Sequence, residues 1–137
     1  MVGRAEPRTG RTDVLVVDDH AGFRRLARRM LEAAGLTVAE AADGAAATGA
    51  SRTLRPRLVL VDIQLPDTDG FALARLLSRA QPDQVVVLTS GRDPADFGGR
   101  IEAASAAGFV AKERVSARVI RCYLEGNAPC PPADDSP

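Results

Sequence analysis

The chain has 137 residues, 45% of them hydrophobic, and its 18 basic and 18 acidic side chains cancel to a net charge of zero. That length suits one domain with a full core, and the balance gives no general drive toward nucleic acid or an anionic membrane surface. No stretch is long and apolar enough to span a bilayer, and Met1 to Arg11 lacks the apolar run of a signal peptide, so a cytoplasmic protein is expected.

Residues 1–11 are polar and hold three arginines, a proline and two glycines, which predicts a flexible extension. Val14 to Val17 then predicts a buried strand that ends on Asp18-Asp19. Ala21 to Ala34 follows as a helix with Phe23, Leu26, Ala27, Met30 and Ala34 as its core stripe, and Gly35 is its stop. Arg24, Arg25, Arg28 and Arg29 occupy the other faces, where solvation is the simplest account. Leu36 to Ala41 is a weaker strand suited to a sheet edge, and Asp43-Gly44 turns into an alanine-rich helix that ends before Pro56.

Four aliphatic residues, Leu58 to Val61, predict a strand buried on both faces that stops at a carboxylate, Asp62. Leu65-Pro66 forces an extended step, and Asp69-Gly70 opens a helix over about Phe71 to Ala80, with Phe71, Leu73, Ala74, Leu76 and Leu77 inward. Val85 to Leu88 is a fourth strand, ending at Thr89-Ser90. Asp93-Pro94 looks like an N-cap followed by a first-turn proline, and the predicted helix runs through Gly98-Gly99 to about Ala106. Phe109 to Ala111 is the fifth strand, ending at Lys112, and a helix over about Val115 to Leu124 closes the domain. Gly126 to Pro137 carries four prolines and two aspartates and is expected to be disordered. The domain proper is therefore 12–125.

Strand and helix alternate five times, which argues a parallel sheet with helices on both faces. In the doubly wound order 2-1-3-4-5, the winding reverses between the first and third strands, and ligands bind outside the carboxyl ends at that point. Asp18, Asp19, Asp62, Thr89 and Lys112 would meet there. Lys112 is the single lysine among 18 basic residues, the other 17 being arginine. Three clustered carboxylates repel one another, and one lysine does not neutralise them, whereas one lysine plus a divalent cation does. Hard oxygen donors suit Mg²⁺, with Asp19 and Asp62 as direct ligands, the Gln64 carbonyl completing the set and Asp18 acting through water. A metal-bound carboxylate beside a lysine and a hydroxyl suits phosphoryl transfer to Asp62.

These motifs, Val-Val-Asp18-Asp19, Leu-Val-Asp62-Ile-Gln-Leu-Pro66-Asp-Thr-Asp-Gly70, Val-Leu-Thr89-Ser90 and Gly-Phe109-Val-Ala-Lys112, resemble the receiver domain of bacterial two-component response regulators. The resemblance implies a flavodoxin-like fold, Mg²⁺ dependence and a phosphoacceptor aspartate, Asp62, charged from the phosphohistidine of a sensor kinase or from a phosphotransfer protein. It further implies a switch carried by Thr89 and Phe109, an unidentified downstream protein target, and scope for a phosphorylation-dependent homodimer. Three departures stand out, the first being that the switch aromatic, Phe109, is a phenylalanine and has no hydroxyl to donate. Glu113 follows Lys112 where the family usually has proline, and Gly91, two residues past Thr89, offers no side chain to the site.

Other accounts of the same residues are a phosphohydrolase, a nucleotide-binding module and a phosphate-independent docking module. The first lacks the D-x-D after the first strand, and the second lacks both glycine-rich phosphate motifs. The acidic pair, Asp62, Thr89 and Lys112 speak against the third. Direct DNA binding is not expected, because only a Pro-rich tail follows Leu124. His20 reads as a solvated loop residue, Asp67 and Asp69 as turn or cap residues, and Cys122 and Cys130 as free thiols.

Overall fold

The computed structural model describes residues 11–126. The extension expected before them, the tail expected after Gly126, and Cys130 lie outside the described residues. Five strands, β1 (Val14–Val17), β2 (Val38–Ala41), β3 (Leu58–Asp62), β4 (Val85–Ser90) and β5 (Gly108–Ala111), form one sheet in the order β2-β1-β3-β4-β5. Every pairing is parallel, and the register sets Val17 beside Val61 and Asp62 beside Thr89.

Strand residues alternate sides, so each strand feeds two cores. Val14, Val16, Leu58, Leu60, Val87 and Val110 face one side, where α1 (Ala21–Ala33) and α4 (Ala117–Leu124) supply Ala27, Leu31, Ile120 and Tyr123. Leu15, Val17, Val59, Val61, Val86 and Leu88 face the other, against Ala47 of α2 (Gly44–Leu54) and Phe71, Leu73, Ala74 and Leu77 of α3 (Gly70–Ala80). With both faces covered, the doubly wound, flavodoxin-like architecture is as expected. Local signals start and stop the helices. Asp43, Asp69 and Ser116 accept the backbone N–H of Ala46, Ala72 and Val119, and Gly35 takes φ +92 just past α1.

Three expectations fail. The helix over 95–106 is absent: Pro94–Phe97 forms a single 3-10 turn, Gly98 leaves it at φ +59, and 98–107 is a run of turns and bends. Adjacent glycines weaken a helix by roughly 1 kcal/mol each relative to alanine, and the half-buried Ile101, Ala104 and Ala106 still pack on the α3 side of the sheet without one. Each of two helix stripes also loses one member, although Phe23, Ala27 and Met30 of α1 and Phe71, Leu73, Ala74 and Leu77 of α3 lie in or against the cores as expected. Leu26 is 58% and Leu76 50% exposed, whereas Leu31 is fully buried. Ala27 and Leu31 are four apart and face the sheet together, which turns Leu26 outward. Finally, Cys122 is disulfide-bonded, not a free thiol. The thiol expectation came from compartment chemistry, which sets redox poise but not whether another sulfur lies within reach. Among the described residues no helix is long and apolar enough to cross a membrane.

Candidate functional site

β1 and β3 are adjacent central strands, so Asp18, which follows β1, and Asp62, which ends β3, emerge side by side. Both are buried, as is Thr89 beside Asp62 on β4. Lys112 reaches in from the end of β5 and puts Nζ 2.7 Å from Asp18 Oδ2 and 3.4 Å from Asp62 Oδ2. The face of the Phe23 ring lies 4.9 Å from the same ammonium, so an apolar side chain of α1 helps to hold it in place. Asp18, Asp19, His20 and Asp62 each place a potential ligand atom within 4.8 Å of the others. They adjoin a cavity of about 360 Å³ whose lining includes Asp19, Asp62, Gln64, Arg92 and Lys112.

The backbone around the carboxylates is tied down. Asp18 Oδ1 accepts the His20 N–H at 2.8 Å, and Asp62 Oδ1 accepts the Gln64 N–H at 3.1 Å. Arg24 donates to the Asp18 carbonyl at 2.8 Å while its Nε donates to Glu40 at 3.0 Å. The loop from β3 to α3 is held from the far side, because the Asp67 carboxylate accepts the N–H groups of Gly44 and Ala45 at 2.8 and 3.1 Å. Those are free donors of the first turn of α2, and their hydrogen bonds hold the Asp67 carboxyl below the ordinary range. Gly70 is required here: a Cβ would sit 2.5 Å from the Asp62 carbonyl oxygen.

Burial pushes the Asp62 carboxyl up, and the Asp18 charge adds to that. The Gln64 N–H and Lys112 pull down, and the net direction is upward. Burial works against the Lys112 ammonium, but Asp18 and Asp62 outweigh it, so its pKa rises and it stays charged.

Thr89 Oγ1 is fully buried and has no hydrogen-bond partner among the described residues, and Asp18 Oδ2 has none there beyond its ion contact with Lys112. An orphaned buried hydroxyl costs about 1–3 kcal/mol. A group that bears such a cost calls for an explanation, and a ligand that completes it is one. The donor set passes the same test for a divalent cation. It is all-oxygen but for His20, partly open through Asp19, and one positive charge cannot balance its three carboxylates.

The predicted residues Asp18, Asp19, Asp62, Gln64, Thr89 and Lys112 are thus brought to one end of the sheet. Phe109 is placed apart. It is half-buried on β5 opposite Leu88, against the α3-side core, and does not line the cavity. Glu113 is exposed and also outside the lining. His20 is solvated as expected, with a side chain 70% exposed, yet its Nδ1 lies 3.1 Å from Asp18 and 3.2 Å from Asp19. Arg92 at the cavity and the contact of the core-stripe residue Phe23 with Lys112 were not anticipated. Arg92 is one of 17 arginines, and its only signal is that it stands three residues beyond Thr89, just past a strand end.

Residues 14–122 match the response regulator receiver domain family, and the chain belongs to it. It is 43% identical over 101 residues to a putative transcriptional regulator of Pseudomonas aeruginosa, covering 72% of this chain and 48% of that protein. It is 40% identical over 101 residues to response regulator GacA of the same organism, covering 72% of this chain and 47% of that one. Among solved structures it resembles the signal receiver domain of the putative response regulator NarL from Mycobacterium tuberculosis, with a TM-score of 0.71 and 30% identity over 87% of this chain and 98% of that one. The chain spans about half the length of these two Pseudomonas relatives. It is a receiver domain of two-component signalling, with an acidic pocket consistent with a phosphoacceptor site.

Proposed function

We propose that Asp62 is the phosphoacceptor and that this domain switches a protein-binding surface when Asp62 is phosphorylated. The observation that carries this is a buried carboxylate paired with a lysine, beside a buried threonine hydroxyl that has no partner. A carboxylate oxygen of Asp62 attacks the phosphorus of a phosphohistidine. The P–N bond breaks, imidazole leaves, and an aspartyl phosphate remains. Hydrolysis later returns the carboxylate and inorganic phosphate. The donor is a sensor histidine kinase or a phosphotransfer protein in the cytoplasm.

Lys112, already poised at Asp62, carries positive charge to the phosphoryl oxygens. Asp19, Asp62 and the Gln64 carbonyl would hold Mg²⁺, with Asp18 acting through water, and the ion supplies further positive charge there when bound. Thr89 gains in the phosphorylated state the acceptor it otherwise lacks. Phe109, the other switch residue that the resemblance implies, pairs with Leu88, the residue before Thr89 on β4, and would feel that change through the strand rather than by direct contact. The chain catalyses only its own phosphorylation and dephosphorylation, and the signal leaves through the surface formed by 91–124.

The test is incubation with acetyl phosphate and Mg²⁺ followed by intact mass. The unmodified protein gains one phosphoryl group and Asp62→Asn gains none. An adduct that persists in Asp62→Asn overturns the assignment. No adduct on either protein leaves a phosphate-independent docking module in its place.

A further inference from the structure

Arg92 lines the same cavity as Asp19, Asp62 and Lys112. Its side chain is 54% exposed, its Nε is 3.5 Å from Asp96, and its guanidinium lies 5.8 Å above the Phe97 ring. Both partners belong to the single 3-10 turn, Pro94–Phe97, that stands where a helix was expected. An exposed pair this long contributes little, so Arg92 is loosely parked. Its N–H is fixed to Ser90 Oγ at 3.0 Å, which anchors the base of the side chain to the end of β4.

Charge says where the guanidinium goes. Asp18, Asp19 and Asp62 carry three negative charges, balanced by Lys112 and a divalent cation. Replacing the Asp62 carboxylate by its phosphoryl derivative adds roughly one further negative charge. Lys112 is already held by Asp18 and Asp62. Arg92 is the other cationic side chain of the cavity lining, and a guanidinium bonds phosphoryl oxygens more strongly than it bonds an exposed carboxylate.

We infer that Arg92 leaves Asp96 and Phe97 to bind the phosphoryl group on Asp62, so that the charge added at the site directly unlatches the 94–107 segment. This rests on Asp62 being the phosphoacceptor. The exchange also uncovers the Phe97 ring, which packs edge-on against Phe71 at 6.1 Å in a second groove of about 600 Å³. Arg92 is here a phosphoryl-binding residue, and Asp96 is its competitor.

The competition makes the two partners act with opposite sign, which a structural role would not do. Binding of beryllofluoride with Mg²⁺ is measured by calorimetry on the full chain. Arg92→Gln weakens it roughly tenfold, the loss of one charge-assisted hydrogen bond. Arg92→Lys recovers part of that loss. Asp96→Asn tightens it by about two- to fivefold, the worth of an exposed ion pair no longer given up. Beryllofluoride changes amide exchange across 94–107 in the unmodified protein and leaves that segment unchanged in Arg92→Gln. If Arg92→Gln binds as the unmodified protein does, or both variants shift the same way, the inference is overturned while the phosphoacceptor assignment stands. If the unmodified protein takes no phosphoryl group from acetyl phosphate, the assignment falls and the inference with it.

Discussion

The two ends of the sheet bury polar groups in opposite ways. At the amino ends, Asp13 accepts from the Thr37 N–H at 2.9 Å, the Thr37 hydroxyl at 3.2 Å and Arg57 at 3.2 Å. Nearby, Gln84 donates to Ser51 Oγ at 3.1 Å and to the Pro56 carbonyl at 3.2 Å. At the carboxyl ends, among the described residues, Thr89 Oγ1 has no partner and Asp18 Oδ2 has only an ion contact. One end is saturated and serves as a bolt. The other is left incomplete, and incompleteness in a dry site is what a charged ligand can exploit.

The comparison breaks if the saturated end also governs phosphorylation. Asp13→Ala strips three hydrogen bonds, strands the Thr37 N–H, and is expected to cost about 2–3 kcal/mol in chemical denaturation. The folded variant should still take one phosphoryl group, and a loss of labelling well below its melting temperature would join the two ends into one unit.

Adding the missing charge should act on the incomplete end alone. Mg²⁺ at a hundredfold excess over its dissociation constant raises stability by about 2.7 kcal/mol, and Asp19→Ala removes most of that gain. A melting temperature indifferent to Mg²⁺ would mean that the carboxylates are already balanced. Thr89→Val keeps the branched shape and removes the orphaned hydroxyl, so metal-free stability should rise by about 1 kcal/mol. A drop would show that the hydroxyl already has a partner.

The smallest effect concerns acid. The folded Asp62 carboxyl lies above its ordinary value because of burial and Asp18, so the folded protein holds that proton more tightly than the unfolded chain. The associated stability is complete below the ordinary carboxylate range and is lost as pH rises through the elevated folded value. In the absence of metal, Asp62→Asn should therefore melt a few degrees higher than the unmodified protein at neutral pH, with the difference closing in acid, while Lys112 keeps its contact with Asp18. Equal melting temperatures across that range would show Asp62 to be unstrained.

What the sequence revealed follows the same division. Buried strands are short, apolar and end abruptly, so Asp18, Asp62, Thr89 and Lys112 stood out by position. The sheet order then brought them together. Helix phase was less visible, because a run holding Leu26, Ala27, Met30 and Leu31 offers two overlapping stripes, and only packing chooses the one through Ala27 and Leu31. The missing helix after Pro94 was foreshadowed by Gly98-Gly99, but how far two glycines unravel a turn depends on the contacts around them. Arg92 and the Phe23–Lys112 contact carry no pattern in one dimension, since each exists only once strand ends and helix faces are assembled. The bond at Cys122 likewise depends on proximity.

Asp67 gives the pocket a fixed jaw. By fastening the loop after Asp62 to the start of α2, with Gly70 pressed against the Asp62 carbonyl beneath it, it denies that side any recoil when a bulky anion is loaded. The opposite jaw, Gly91 to Arg100, is exposed along its length apart from Phe97, and its ties to α3 are side-chain contacts: Phe97 on Phe71, and Arg100 over Phe71 and 3.6 Å from Asp69. On the proposed function, a phosphoryl group on Asp62 would push toward that more exposed jaw. The domain would then work as a vice with one fixed plate and one yielding plate, the yielding plate carrying the output.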